Sequence, residues 1–188
     1  YKSLIKPNQK IIAVVKANAY GHGDVEVAHS IQKLGCYDFA VSNLEEGVKL
    51  RVNGIEGNVL ILGYTPINRL FEVKKYNLSQ TIISSDYLVA VLKTGLNISV
   101  QFKIETGMNR LGLPPNKATE VAIKNSTKLL NVQGIFTHLS TADEPLKRQQ
   151  ALNQINKFKQ FATRLKTLKF PYVHYLNSAG GLLLNDGV

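Results

Sequence analysis

"AVVKANAYGHGD", residues 13–24, decides how the rest of the chain is read. A run of apolar β-formers beginning at Ile11 ends in Lys16. Small residues follow, then Tyr20 and Gly-His-Gly, a composition that suits a tight turn with close backbone approach. From Asp24 onward Ala28, Ile31 and Leu34 share one helical face, and Asp24 is placed to cap that helix. The pattern is strand, turn, helix, with a lysine at the tip of the strand.

The pattern repeats outward from there. Strands are expected at 11–17, 37–42, 59–63, 80–84, 99–106, 132–138 and 173–178. Segments with helical periodicity lie between them, at 24–34, 43–53, 66–77, 86–94, 116–128 and 144–168. The last has an apolar stripe of Leu152, Ile155, Phe158, Phe161 and Leu165, with Pro145 in its first turn. Alternating strands and helices imply parallel pairing, in either an open doubly wound sheet or a (β/α)8 barrel of the TIM type. No Gly-x-Gly-x-x-Gly follows the first strand, which removes the main support for a dinucleotide fold. A barrel needs an eighth strand and typically about 250 residues. The chain stops after its seventh strand, at "GGLLLNDGV", so 1–188 reads as one incomplete α/β barrel domain lacking its last strand.

Composition narrows the class. The 188 residues are 44% hydrophobic, enough for a substantial core. No stretch approaches the roughly 18–20 apolar residues of a membrane helix, and the N-terminus lacks the apolar segment of a secretion signal. A single cysteine, Cys36, excludes an internal disulfide and fits a cytoplasmic setting. The net charge of +10 raises a nucleic-acid surface, but Lys49, Lys74, Lys93, Lys117, Lys128, Lys147, Lys157 and Lys166 are scattered over helical segments without interleaved aromatics. A solvated lysine-rich surface is the better reading, with no nucleic-acid partner. No metal site is assigned.

Barrel geometry sorts the remaining polar residues. Along strand five, Phe102 and Ile104 share one face and Gln101, Lys103 and Glu105 the other. The second face points into the barrel, where polar groups must be paired. Lys16, the loop "ETGMNRLG" (105–112), His138, Asn177 and Ser178 all fall at C-terminal strand ends, where barrel enzymes build their sites. Singly each has an ordinary explanation: a lysine reaching solvent, a structural histidine, a helix-capping serine, a surface arginine. Jointly they suit an anionic, phosphorylated ligand with a reactive carbonyl.

"AVVKANAYGHG" closely resembles the pyridoxal-phosphate lysine motif of the alanine racemase family. "KIETGMNRLG" (103–112), "GIFTHLSTADE" (134–144) and "YLNSAGG" (175–181) agree with the same family in order and approximate spacing. The resemblance spans essentially the whole chain and brings the barrel with it. It implies that Lys16 binds the aldehyde of pyridoxal 5'-phosphate covalently and moves the α-proton of the substrate on one face. It implies Tyr20 and Ser178 as phosphate ligands, with Asn177 beside Ser178 in the cofactor site. It implies Arg110 near the cofactor's phenolic oxygen and the substrate carboxylate, and His138 against the cofactor ring. Lys103 matches a lysine that many members carry as the carbamate, N6-carboxylysine.

The implied activity is interconversion of L- and D-alanine, which supplies D-alanine for cell-wall peptidoglycan. Serine racemases of the same fold share these motifs, so the substrate is open between the two. Family members also carry a C-terminal β-domain whose tyrosine is the opposite-face base across a homodimer, and a further barrel segment whose arginine meets the pyridine nitrogen. Neither is in 1–188, so this segment alone is expected not to racemise efficiently. The alternatives are another barrel enzyme or small protein using the same cofactor, and a non-catalytic cofactor-binding or interaction module. The full-length gene product discriminates among them.

Overall fold

A computed structural model describes residues 5–6 and 9–184. The seven expected strands all form: β1 (Ala13–Val14), β2 (Asp38–Val41), β3 (Asn58–Ile61), β4 (Ser79–Ile82), β5 (Ser99–Lys103), β6 (Asn131–Phe136) and β7 (Tyr172–His174). They make one parallel sheet in chain order, β1 through β7. A doubly wound sheet reverses its order midway, so sequential order leaves the barrel. Eight helical segments lie between or beyond the strands: α1 (Lys16–Tyr20), α2 (Asp24–Lys33), α3 (Leu44–Val52), α4 (Leu70–Lys75), α5 (Ser85–Lys93), α6 (Lys117–Ser126), α7 (Arg148–Thr163) and α8 (Ser178–Leu183).

One hydrogen bond reports the curvature. Tyr172 Oη donates to Asp38 Oδ1 at 2.6 Å, joining β7 to β2. Five inter-strand steps of about 4.8 Å would hold them about 24 Å apart in a flat sheet. The sheet therefore curls until its far strands meet across the interior. Gly134 lets β6 lie close against β7, since a Cβ there would overlap the Tyr172 carbonyl.

Alternation along the strands divides the core in two. Phe39, Val41, Val59, Ile61, Phe102 and Ile104 pack outward into the large cluster that includes Phe158 and Phe161 of α7. Each fully buried aromatic of this kind contributes about 1.5–3 kcal/mol. Ala40, Leu60 and Phe136 form a separate inner cluster with Ile12 and Leu62. Lys103 is in register with Phe136 and His174, and Gln101 with Gly134 and Tyr172, so these polar residues share the inner face. There Gln101 Oε1 meets His174 Nε2 at 2.9 Å, Ser79 Oγ donates to Asn58 Oδ1 at 3.0 Å, and His174 stacks on Phe136. Both faces of the central strands β2 to β5 are covered, and β2 and β3 accordingly read as apolar runs.

Several boundaries differ from those expected. The first strand is only Ala13–Val14, and Lys16 begins α1 rather than ending a strand. Strand five stops at Lys103: Ile104 N–H still donates to Phe136 C=O, but Glu105 N–H then turns to Leu113 C=O and Leu113 N–H to Lys103 C=O. Strand seven stops at His174. The N-cap of α2 is Gly23, not Asp24. The Asp24 carboxylate instead accepts from Val25 N–H and pairs with Lys49 at 2.6 Å. Pro145 sits in a 3-10 turn leading into α7. Asn43, Ser84 and Asn116 cap α3, α5 and α6 through their side chains.

Arg51, near the end of α3, ties together the segments that enter β3 and β4. Its guanidinium donates to four carbonyls: Tyr76 at 3.0 Å, Ile55 at 2.7 Å, Gly57 at 2.7 Å and Asn77 at 2.8 Å. These lie at the N-terminal strand ends, away from the rim that carries Lys16. Among the described residues no helix is long and apolar enough to cross a membrane.

Candidate active site

The site assembles from four chain segments that leave the sheet at its C-terminal rim. The first begins at Val15, whose N–H still pairs with Ala40 C=O at 2.9 Å. After Lys16 the backbone turns left-handed, with positive φ from Ala17 to Tyr20. This brings Lys16 to the rim half-buried and leaves Tyr20 largely exposed at the end of the same turn.

The second segment follows β5. Lys103 is buried, and its Nζ donates to Leu111 C=O at 2.6 Å. Burial pushes its pKa down; Glu105 partly offsets this and the Arg110 charge adds to it. Glu105 is turned onto its own loop, accepting from Gly107 N–H. Burial works against its ionisation, yet the amides of Asn109 and Gly107 and the Lys103 charge outweigh that and hold the carboxyl below the ordinary range. Arg110 stands exposed on the same loop.

The third segment follows β6 and carries His138. Burial lowers its pKa first, and the charges of Arg110, Lys103 and Lys16 lower it further. Two cations expected at the rim, Lys16 and Arg110, and one expected inside the barrel, Lys103, therefore act on one imidazole. A buried glutamine holds the segment in place. Gln154 of α7 accepts from Ser140 N–H and Oγ, each at 3.0 Å, and its amide donates to His138 C=O and Thr106 Oγ1, each at 3.4 Å. Thr106 and Thr137 share a 2.8 Å bond between their hydroxyls.

The fourth segment follows β7. Asn177 is the N-cap of α8: its Oδ1 accepts from Gly180 N–H at 2.9 Å and its Nδ2 donates to Leu139 C=O at 3.3 Å. Gly180 leaves no spare room, since a Cβ would lie 3.1 Å from Leu139 and 3.2 Å from Asn177 Oδ1. His138, Asn177 and Ser178, with Met108, Ser140 and Asp143, line a cavity of about 360 Å³. That volume lies within the range of small-molecule and cofactor pockets. Lys16, Tyr20 and Arg110 stand outside that lining, at the rim.

The donor set fits pyridoxal 5'-phosphate. It offers one half-buried primary amine at the start of α1, just beyond β1, hydroxyls on Tyr20 and Ser178, and an excess of cations beside a cavity of suitable size. Deeper in, burial pushes the His174 imidazole down to about 4, so it is neutral at pH 7. Sequence reading missed His174, Gln154, Glu46 and the Asp38–Tyr172 pair. Only Glu46 carried a local signal, the Asn-x-x-Glu spacing of a helix start at residues 43–46.

Comparison with known proteins agrees along the whole chain. The family model described as "Alanine racemase, N-terminal domain" matches residues 1–187. The chain is 39% identical over 194 residues to an alanine racemase of Helicobacter pylori (strain Shi470), covering 99% of this chain and 51% of that protein. It is 36% identical over 183 residues to a serine/alanine racemase of Enterococcus gallinarum, covering 96% of this chain and 26% of that protein. Among solved structures, alanine racemase from Clostridium difficile 630 superposes with a TM-score of 0.90 at 34% identity, covering 98% of this chain and 50% of that one. The chain thus spans about half the length of the alanine racemases it matches, and about a quarter of the Enterococcus protein.

Proposed function

The chain belongs to the alanine racemase N-terminal-domain family, and from that premise we propose that it forms the cofactor-binding barrel of a pyridoxal 5'-phosphate-dependent racemase interconverting L- and D-alanine. The observation that carries the reading is the convergence of Lys16, Lys103 and Arg110 on His138, beside a cavity lined by Asn177 and Ser178.

When bound, the cofactor supplies an electron sink that makes the α-proton of an attached amino acid removable. The chain's own residues do the rest. The Lys16 amine is the nucleophile for the aldehyde and, once released, the base on one face of the α-carbon. Tyr20 and Ser178 would donate to the phosphate. Arg110 would meet the phenolic oxygen and the substrate carboxylate, for which its planar fork is suited. His138 would lie against the ring, and its burial favours the neutral imidazole. Asn177 fixes the start of α8 and so the position of Ser178.

Racemisation moves protons on both faces of the α-carbon. Lys16 is the only base assigned here, so the second base, an eighth barrel strand and a C-terminal β-domain are assigned to residues outside 1–188. The working unit is a homodimer. In the full-length protein with pyridoxal 5'-phosphate, L-alanine in deuterium oxide is expected to yield D-alanine carrying deuterium at Cα. L-serine run in parallel reports the side-chain preference, because one relative is named a serine/alanine racemase. Failure to racemise or exchange either amino acid overturns the reading.

Lys103 is proposed to carry a carbamate. Its neutral amine attacks carbon dioxide: an N–C bond forms, a C=O electron pair moves onto oxygen, and the nitrogen releases a proton to solvent. Burial favours the neutral amine that this step requires. The product is an anion near Arg110, whereas an unmodified Lys103 would place a buried cation close to that guanidinium. Glu105, which accepts from its own loop, offsets only part of the effect of burial on Lys103, and the carbamate would add a second anion at this place. A high-resolution map of the holoenzyme is expected to show density beyond Nζ within hydrogen-bond reach of Arg110. A bare amine still bonded to Leu111 C=O counts against the carbamate.

A further inference from the structure

The backbone that delivers Lys16 is held in an unfavourable conformation. Ala17, Asn18, Ala19 and Tyr20 have φ of 51°, 54°, 49° and 55°. For a residue with a Cβ the left-handed helical region costs roughly 1–2 kcal/mol, and only asparagine among these four adopts it readily. One left-handed turn results. Its internal bonds are Ala19 N–H to Val15 C=O at 2.9 Å, Gly21 N–H to Ala17 C=O at 3.2 Å and Gly23 N–H to Asn18 C=O at 3.0 Å. None of these holds the amide that directly follows Lys16.

That amide is gripped from another helix. Ala17 N–H donates to Glu46 Oε1 at 2.8 Å, across 29 residues of sequence. The other carboxylate oxygen accepts from Ser42 N–H at 2.7 Å and Ser42 Oγ at 2.8 Å. Glu46 is itself fixed, because its N–H donates to the Asn43 side chain that caps α3. In a capping box a glutamate at this position would bond back to the cap residue's own amide. Here the carboxylate is spent on Ser42 and Ala17 instead. One turn later Lys49 reinforces the same grip, pairing with Asp24 and donating to Asn18 Oδ1 at 3.3 Å.

We propose that Glu46 is a positioning residue for Lys16: its carboxylate pins the Ala17 amide to the end of β2 and so holds the left-handed turn that aims the lysine amine. The proposal rests on the reading of Lys16 as the covalent attachment point. A carboxylate suits the task because both oxygens are acceptors and all three of its partners are donors. Glutamine keeps one acceptor but must turn its NH2 toward either Ser42 or Ala17, so one grip is lost. Alanine loses both.

The test uses the full-length protein stripped of cofactor, with pyridoxal 5'-phosphate as the probe. The rate at which a borohydride-reducible bond forms at Lys16 is followed by peptide mass. Glu46→Gln is expected to slow attachment and lower kcat by about 10- to 100-fold, with KM changed far less, as for a misaimed reacting group. Glu46→Ala should be slower still. Glu45→Gln, a neighbour paired with Arg69 at the surface, should match the parent in rate and fold. Residue-resolved hydrogen exchange on the unaltered protein adds a measurement that needs no variant, with the Ala17 amide expected to be protected. If the parent attaches cofactor elsewhere or not at all, the reading of Lys16 fails. If the parent attaches at Lys16 and Glu46→Gln does so at the same rate, the positioning role alone fails. If the variants unfold, an unprotected Ala17 amide overturns the role and a protected one supports it.

Discussion

Lys16→Ala in the full-length, cofactor-loaded protein is expected to lower racemisation by about 10⁴-fold or more, since it removes both the nucleophile and a base. The neighbouring cations are otherwise engaged or unsuited. Lys103 is buried and its Nζ is bonded to Leu111 C=O. Lys49 is paired with Asp24. Arg110 carries a guanidinium, which is not nucleophilic. The visible absorbance of lysine-bound cofactor should disappear together with activity. Lys16→Arg separates charge from chemistry: it keeps the cation at the rim and should be as inactive as alanine. Borohydride should attach the cofactor to the Lys16 peptide in the parent and to no single peptide in either variant. Trapping on another lysine, or a rate within tenfold of the parent, would sink the assignment.

Arg51→Ala is expected to cost about 3–5 kcal/mol of folding stability, given that hydrogen bonds to charged groups contribute about 1.5–3 kcal/mol each and that freed carbonyls near the surface recover water. The guanidinium serves four carbonyls in the two segments that enter β3 and β4. A lysine offers one point charge in place of a planar fork. Arg51→Lys should therefore recover only part of the loss. Urea denaturation is the measurement, with the midpoint falling and the slope unchanged. Because the brace lies at the strand ends opposite Lys16, cofactor attachment in the folded fraction should match the parent. A midpoint within experimental scatter of the parent would mean that water replaces the arginine without cost.

How far the sequence could be read follows from the range of each interaction. β2 and β3 were legible because both of their faces are covered, so "FAV" at 39–41 and "VLI" at 59–61 stand out as apolar runs. α7 was legible because its buried residues recur at helical spacing, from Ala151 to Phe161. The site residues were legible through a resemblance of ordered motifs, and their common rim through the rule that barrel sites lie at C-terminal strand ends. Strand ends were less so. Lys16 looked like a strand tip because Ile11 to Val15 is apolar, and nothing in the composition of "KANAY" announces a left-handed turn.

By itself the sequence determined the alternation of strand and helix, the parallel pairing that alternation demands, and which polar residues sit at strand ends. Those are properties of short windows, set by side-chain periodicity and turn chemistry. Only the tertiary structure decided the sequential strand order, the curl that lets Tyr172 reach Asp38, the cations gathered on His138, and the hold of Glu46 on the amide after Lys16. Each of these joins residues that are distant in the chain. Such a contact depends on how strands and loops are arranged in space, and no local pattern of residues encodes which groups that arrangement brings together.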